Sequence, residues 1–132
     1  MRGTTRRRGR GTSAPEALAR LLLAGMFVHG GWNAFKDPGR RARAAERLRL
    51  PRPEVMVRAN GAAMMVGGGA MAIGITPRAA ALGLAASLVP TTLAGHPFWT
   101  EDDEGARRMQ TIHFLKNLGL LGGLILVAAR PR

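Results

Sequence analysis

Charged residues avoid four windows of this chain. Around 15–35, 56–75, 79–95 and 111–129 it is built largely from Leu, Ala, Met, Val, Ile and Gly, while the arginines and the acidic run fall mostly between them. A helix rising about 1.5 Å per residue needs about 20 apolar residues to cross a bilayer core. Each window comes near that length, and none alternates with the period of two that a strand requires. In hydrocarbon only a helix or a closed barrel satisfies its own backbone. The pattern therefore predicts an all-α protein, an integral membrane four-helix bundle spanning 14–129.

Local signals place the boundaries. Ser13 suits an N-cap with Pro15 in the first turn of the first helix. Asp37, Pro38 and Gly39 stop that helix. The stretch RRARAAERLRL at 40–50 then reads either as a short surface helix beside headgroups or as a solvated loop, since Leu48 and Leu50 are its only large apolar residues. The second and third windows are weakly hydrophobic and joined by Thr76, Pro77 and Arg78, which predicts a hairpin packed through small residues: Gly67 and Gly68, and Gly83 over Ser87. Pro90 should kink the third helix, with Thr91 and Thr92 satisfying freed backbone groups. The last helix is expected to begin before the membrane, with Thr100 as N-cap and Glu104 near its first turn. Gly119 and Gly123 form a small-xxx-small pair, with Gly122 beside it, where another helix backbone can approach.

Composition changes this picture in two ways. The absence of cysteine excludes disulfides, thiolate metal sites and thiol chemistry by the chain itself, and the net charge is +12. The arginines sit in tails and loops beside apolar segments, without a nucleic-acid motif or stacking aromatics, so anionic lipid headgroups are the expected counter-charge and nucleic acid is not. Residues 1–13 hold Arg2, Arg6, Arg7, Arg8 and Arg10 among Gly, Thr and Ser, which predicts a flexible basic tail. No small-residue cleavage site follows it, so the tail is expected to be retained. Both ends of the four spans carry arginines, and orientation is left open.

Candidate chemistry lies in two polar patches. His113, Lys116 and Asn117 share one helical face at the start of the last window, and His29, Asn33 and Lys36 share another at the end of the first. In antiparallel spans the two patches lie at the same membrane level, so they are expected to meet and satisfy one another. Trp32, Phe98 and Trp99 suit interfacial anchors. His29, His96 and His113 lack the spacing of a recognised metal motif, so no metal is expected, although imidazoles could contact a quinone. Lys36 and Lys116 either snorkel to headgroups or form a cationic site for a quinone carbonyl or an anionic substrate. The glycine run near Gly67 lacks the preceding strand of a nucleotide loop and signals packing.

The stretch HFLKNLGLLGGLIL, through Phe114, Lys116, Asn117, Leu118, Gly122 and Gly123, resembles the DoxX family of small bacterial membrane proteins. The earlier RLLLAGMFVHGGWNAFKDP, through Arg20, Gly25, Phe27, Gly30 and Lys36, is a looser match. The resemblance implies a compact bundle of four membrane helices in the cytoplasmic (inner) membrane. It also implies an accessory or anchoring role in a membrane redox complex, quinone- or thiol-linked and tied to oxidative stress. The partner would be a soluble or membrane oxidoreductase, with no intrinsic cofactor but with quinone as a ligand, and a homo-oligomer is allowed. No catalytic residue carries over. Many relatives place an acidic residue before the double glycine where this chain has Met64, Met65 and Val66, which weakens any acid-dependent proton role. The alternative is a small transporter or lipid-interacting protein without a redox role.

Overall fold

Proline and glycine divide the chain into five α-helices. The computed structural model describes residues 11–130, and every regular element among them is helical. These are α1 (Ala14–Lys36), α2 (Gly39–Arg47), α3 (Pro53–Ile73), α4 (Pro77–Gly95) and α5 (Glu104–Ala128), with a single 3-10 turn at Phe98–Thr100 before α5. The predicted flexible tail falls on residues 1–10, outside the described residues, apart from its last three positions.

Each boundary has a local cause. Ser13 caps α1 in extended conformation, and its N–H donates to the Glu16 carboxylate at 3.3 Å. α3 and α4 each open on a proline preceded by a left-handed residue, Arg52 at φ 47° and Thr76 at φ 42°. Proline excludes the right-handed helical region for the residue before it, which is why the helix cannot start earlier. α3 ends at Gly74, φ 78°, where the N–H groups of Ile75 and Gly74 return to the carbonyls of Ala70 and Met71 at 2.9 and 3.3 Å. That is a Schellman closure, and it needs the left-handed backbone that glycine adopts without a Cβ penalty. α5 is capped by Asp103, which accepts from the Ala106 N–H at 2.7 Å, and not by Thr100 as expected. Glu101 is extended, so no helix propagates from Thr100, whose hydroxyl instead donates to the Pro97 carbonyl at 2.8 Å. α4 runs through Pro90 without interruption. The hydroxyls of Thr91 and Thr92 donate to the carbonyls of Ser87 and Leu88.

The four long helices run antiparallel in the order α1, α3, α4, α5. α1 and α3 approach most closely: a Cβ at Gly61 would lie 2.6 Å from the Gly31 carbonyl oxygen and 2.9 Å from the Phe35 nitrogen. Ala24, Phe27, Gly31 and Ala34, spaced as one helical face, supply α1's half of this contact. Arg58 of α3 donates to the Phe35 carbonyl at the end of α1. Between α3 and α4, Gly67 faces Leu84 and Ser87 donates to Asn60 Oδ1 at 2.7 Å. The expected seat of Gly83 over Ser87 is not formed, because Gly83 lies one residue off the buried stripe Ala81, Leu84, Leu88, and a Cβ added there would meet nothing within 4 Å. Phe27, Met71, Leu84 and Leu124 form the centre of the core. α5 returns to α1 at the far end, through Leu23 against Gly123 and a Glu16–Arg130 ion pair. Of the predicted small-residue set, a Cβ added at Gly119 or Gly122 would meet nothing within 4 Å; only Gly123 is covered, by the Leu23 side chain and not by a helix backbone. The short α2 buries Ala42 and Ala45 and leaves its arginines outward.

Two helices among the described residues are long and apolar enough to cross a membrane: α4 with its continuation to Thr100, and α5. Only 22% and 6% of their apolar windows are buried, so Leu115, Ile125 and Leu126 face outward. A core helix of a soluble domain would bury them; these faces suit lipid. The sequence predicted four such spans. α1 and α3 have the length, but Glu16, Arg20, His29 and Asn33 in one, and Glu54, Arg58, Asn60 and the glycines in the other, dilute their apolarity.

Candidate functional site

α4, the 3-10 turn and the first turns of α5 bring together one polar and aromatic cluster. Gln110, His113 and Asn117 recur at helical spacing on α5, in line with Leu120 and Leu124, so the face that packs on α4 is polar at one end and apolar at the other. His96, the C-cap of α4, pairs through Nδ1 with Gln110 Oε1 at 2.8 Å. That pairing engages Nδ1 and leaves Nε2 without a side-chain partner. The His96 and His113 rings stack, with centroids 5.1 Å apart and planes 22° from parallel. Lys116 and Arg41 of α2 lie within electrostatic reach of His96.

Deeper in, Asn117 Nδ2 donates to Thr92 Oγ1 at 3.0 Å, and Thr92, 4% exposed, donates to the Leu88 carbonyl at 2.6 Å. This relay spends Asn117 on holding α5 to α4. The His96 Nε2 atom, the His113 ring and the exposed Lys116 amine make no side-chain hydrogen bond among the described residues. Beside them Phe98, Trp99 and Phe114 pack edge to face, with centroids 5.1 to 6.0 Å apart. The result is a pair of stacked imidazoles and one ammonium next to an aromatic wall, at one end of an apolar helix pair. Such a set can hold a flat ring and donate to its carbonyl oxygens.

The first patch does not join it. His29, Asn33 and Lys36 stay on the exposed side of α1, where Asn33 Nδ2 and His29 Nε2 pair with each other at 3.1 Å. No side-chain hydrogen bond among the described residues links them to His113, Lys116 or Asn117, so the expected meeting of the patches is not made. The reason is angular: His29 is two residues from Phe27 and from Gly31, about 200° around the helix from the face that α3 occupies. Trp32, 50% exposed, lies along the same outer stripe, which gives that stripe the composition of an interfacial anchor. Of the three histidines two meet and one does not, and no group of three or more His, Asp or Glu able to hold a metal occurs among the described residues.

Gln110 and Thr92 complete the cluster although sequence reasoning assigned neither to the site. Their signal was present: Gln110 precedes His113 by three residues and Thr92 precedes His96 by four, so each shares a helical face with a candidate already named.

Comparison with known families gives one result. The DoxX family model matches residues 16–97; that stretch includes RLLLAGMFVHGGWNAFKDP and ends before α5, where the stronger motif lies. No curated protein and no solved structure matches the chain. With well over half of the chain matched and two outward-facing apolar helices, the protein is a membrane protein that belongs to the DoxX family.

Proposed function

We propose that this protein is a multi-pass subunit of the inner membrane, with four spans, that serves a membrane redox complex by holding a quinone headgroup at the His96–His113 cluster. The observation that carries the reading is the stacked imidazole pair beside Phe98, Trp99 and Phe114. A quinone ring is flat, carries two carbonyl acceptors and reaches the membrane edge on an apolar tail. The aromatic wall offers it edge contacts, His113 and Lys116 offer donors, and the apolar faces of α4 and α5 offer a path for the tail. Without cysteine the chain supplies no thiol electrons, so these come from a partner oxidoreductase. The outward arginines of α2, on the cluster's side of the molecule, suit an acidic partner surface.

The chain has two tryptophans, Trp32 and Trp99, and Trp32→Phe leaves Trp99 as the only reporter inside the cluster. In detergent, a short-chain quinone should quench Trp99 saturably, and His113→Leu should weaken that binding about tenfold, the value of roughly 1.4 kcal/mol. Quenching that is linear in quinone, or unchanged by His113→Leu, rejects the headgroup site.

A further inference from the structure

Among the described residues one charged side chain is buried: Arg20, 8% exposed, on the inner face of α1. Its Nε is shut away from solvent with no hydrogen-bond partner, and no ion pair or side-chain hydrogen bond among the described residues reaches the guanidinium. Glu16, one turn earlier on the same helix, lies within electrostatic reach of Arg20. Its carboxylate is bonded to Arg130 and to the Ser13 N–H and makes no hydrogen bond to the guanidinium. A buried arginine normally has its donors satisfied, because its planar fork is costly to desolvate alone.

The position of the guanidinium indicates what would satisfy it. The side chain runs toward the N-terminal end of α1, as helical side chains do, and lies against the α3–α4 turn. An ideal Cβ at Gly74 would sit 3.5 Å from Nη2 and 3.8 Å from Cζ. The Ala70 and Met71 carbonyls there each accept one bond of the Schellman closure, and no side-chain hydrogen bond among the described residues joins the guanidinium to a carbonyl of the turn. Across the turn, α4 opens on Thr76 with no side-chain cap and on Pro77, which has no N–H. The first helical bond on that side is made by Ala80, so the N–H groups of Arg78 and Ala79 remain as free donors at the positive end of a helix. Leu21, Leu22, Ile73 and Ile75 stand exposed around this corner.

We propose that Arg20 and the opening of α4 form a site for a phosphate oxyanion, supplied by the headgroup of an anionic phospholipid or by free phosphate. A phosphate matches the guanidinium fork and the helix N-terminus together. The exposed apolar residues at the corner suit the acyl chains of a lipid. The site is at the opposite end of the long helices from the His96–His113 cluster, so its test is independent of the quinone reading.

Thermal unfolding of the delipidated full chain in detergent, followed by circular dichroism, is compared with added phosphatidylglycerol, a phosphate-free galactolipid and inorganic phosphate. Phosphatidylglycerol should raise Tm where the galactolipid does not, and native mass spectrometry should show one retained phospholipid. An equal rise with inorganic phosphate assigns the same site to a soluble anion. Arg20→Met should abolish the phosphate-dependent rise, and Arg20→Lys should weaken it about tenfold by losing the bidentate fork. If Arg20→Met does not fold, Arg20→Lys and the wild-type comparison carry the test. A wild-type Tm that no phosphate-bearing probe shifts, or a shift that persists unchanged in the Arg20 variants, overturns the proposal.

Discussion

Glycines of one composition do different work here, and only their neighbours decide which. The sequence marks Gly67, Gly68, Gly119, Gly122 and Gly123 as packing residues; Gly67, Gly68 and Gly123 are in contact, whereas Gly119 and Gly122 are open and the tightest approach is between Gly31 and Gly61. A glycine's use depends on which helix faces it, and spacing within a single helix does not carry that. Gly61→Ala places a Cβ inside the α1 backbone, so it should destabilise by about 1–3 kcal/mol as the helices separate. Gly119→Ala meets empty space and should be neutral or gain up to about 1 kcal/mol of helix propensity. Denaturant unfolding of both variants in one detergent separates the two cases, and equal effects would contradict the assigned contact. Strain offers a second residue-level test. Arg52 holds φ 47° at the start of α3, a region that Asn enters more readily than Arg. Arg52→Asn should raise stability by up to about 1 kcal/mol, read as an increase in Tm without change in the circular dichroism spectrum.

At the level of elements, polar side chains set which helices join. Asn60 with Ser87 links α3 to α4, and Asn117 with Thr92 links α4 to α5. Hydrogen bonds between membrane helices contribute about 0.6 kcal/mol on average and rarely above about 1.7. A double-mutant cycle of Asn117→Ala and Thr92→Val should give a coupling in that range, whereas Asn33→Ala with Asn117→Ala should be additive, since those side chains lie on different contacts. Coupling between the second pair would restore the expected meeting of the two patches. This contrast also explains how far the candidate site was legible. His113, Lys116 and Asn117 were readable because three polar residues at helical spacing stand out in an apolar window. Which elements these residues meet, α4 and its His96 and not the α1 patch, was not readable, because spacing within one helix does not say which helix it faces. It follows from the Gly31–Gly61 contact, which turns α1's small-residue face to α3 and rotates His29 outward.

For the molecule as a whole, the helical class and the turn positions were legible in proline, glycine and the charge pattern, but the number of spans was not. α1 and α3 fall short of apolarity when counted residue by residue. Folded together, they bury or pair part of what disqualifies them: Arg20 is buried, Asn60 is bonded to Ser87 and the exposed Arg58 to the Phe35 carbonyl, while Leu18, Leu21, Leu22, Met26, Val55, Val66 and Ile73 face outward. The outer surface of the pair is therefore more apolar than either sequence window, although His29, Asn33 and Glu54 stay exposed on it. A chain without native cysteine permits a direct test with single cysteines and a membrane-impermeant maleimide in sealed vesicles, at Ser13, Arg43, Arg78 and Asp102. With four spans, Ser13→Cys and Arg78→Cys should label from one side, and Arg43→Cys and Asp102→Cys from the other. With α4 and α5 alone crossing, Arg43→Cys would change sides and label with Arg78→Cys. The position of Arg43 thus decides whether α1 and α3 cross as a pair, and labelling it from the Arg78 side would end the four-span reading.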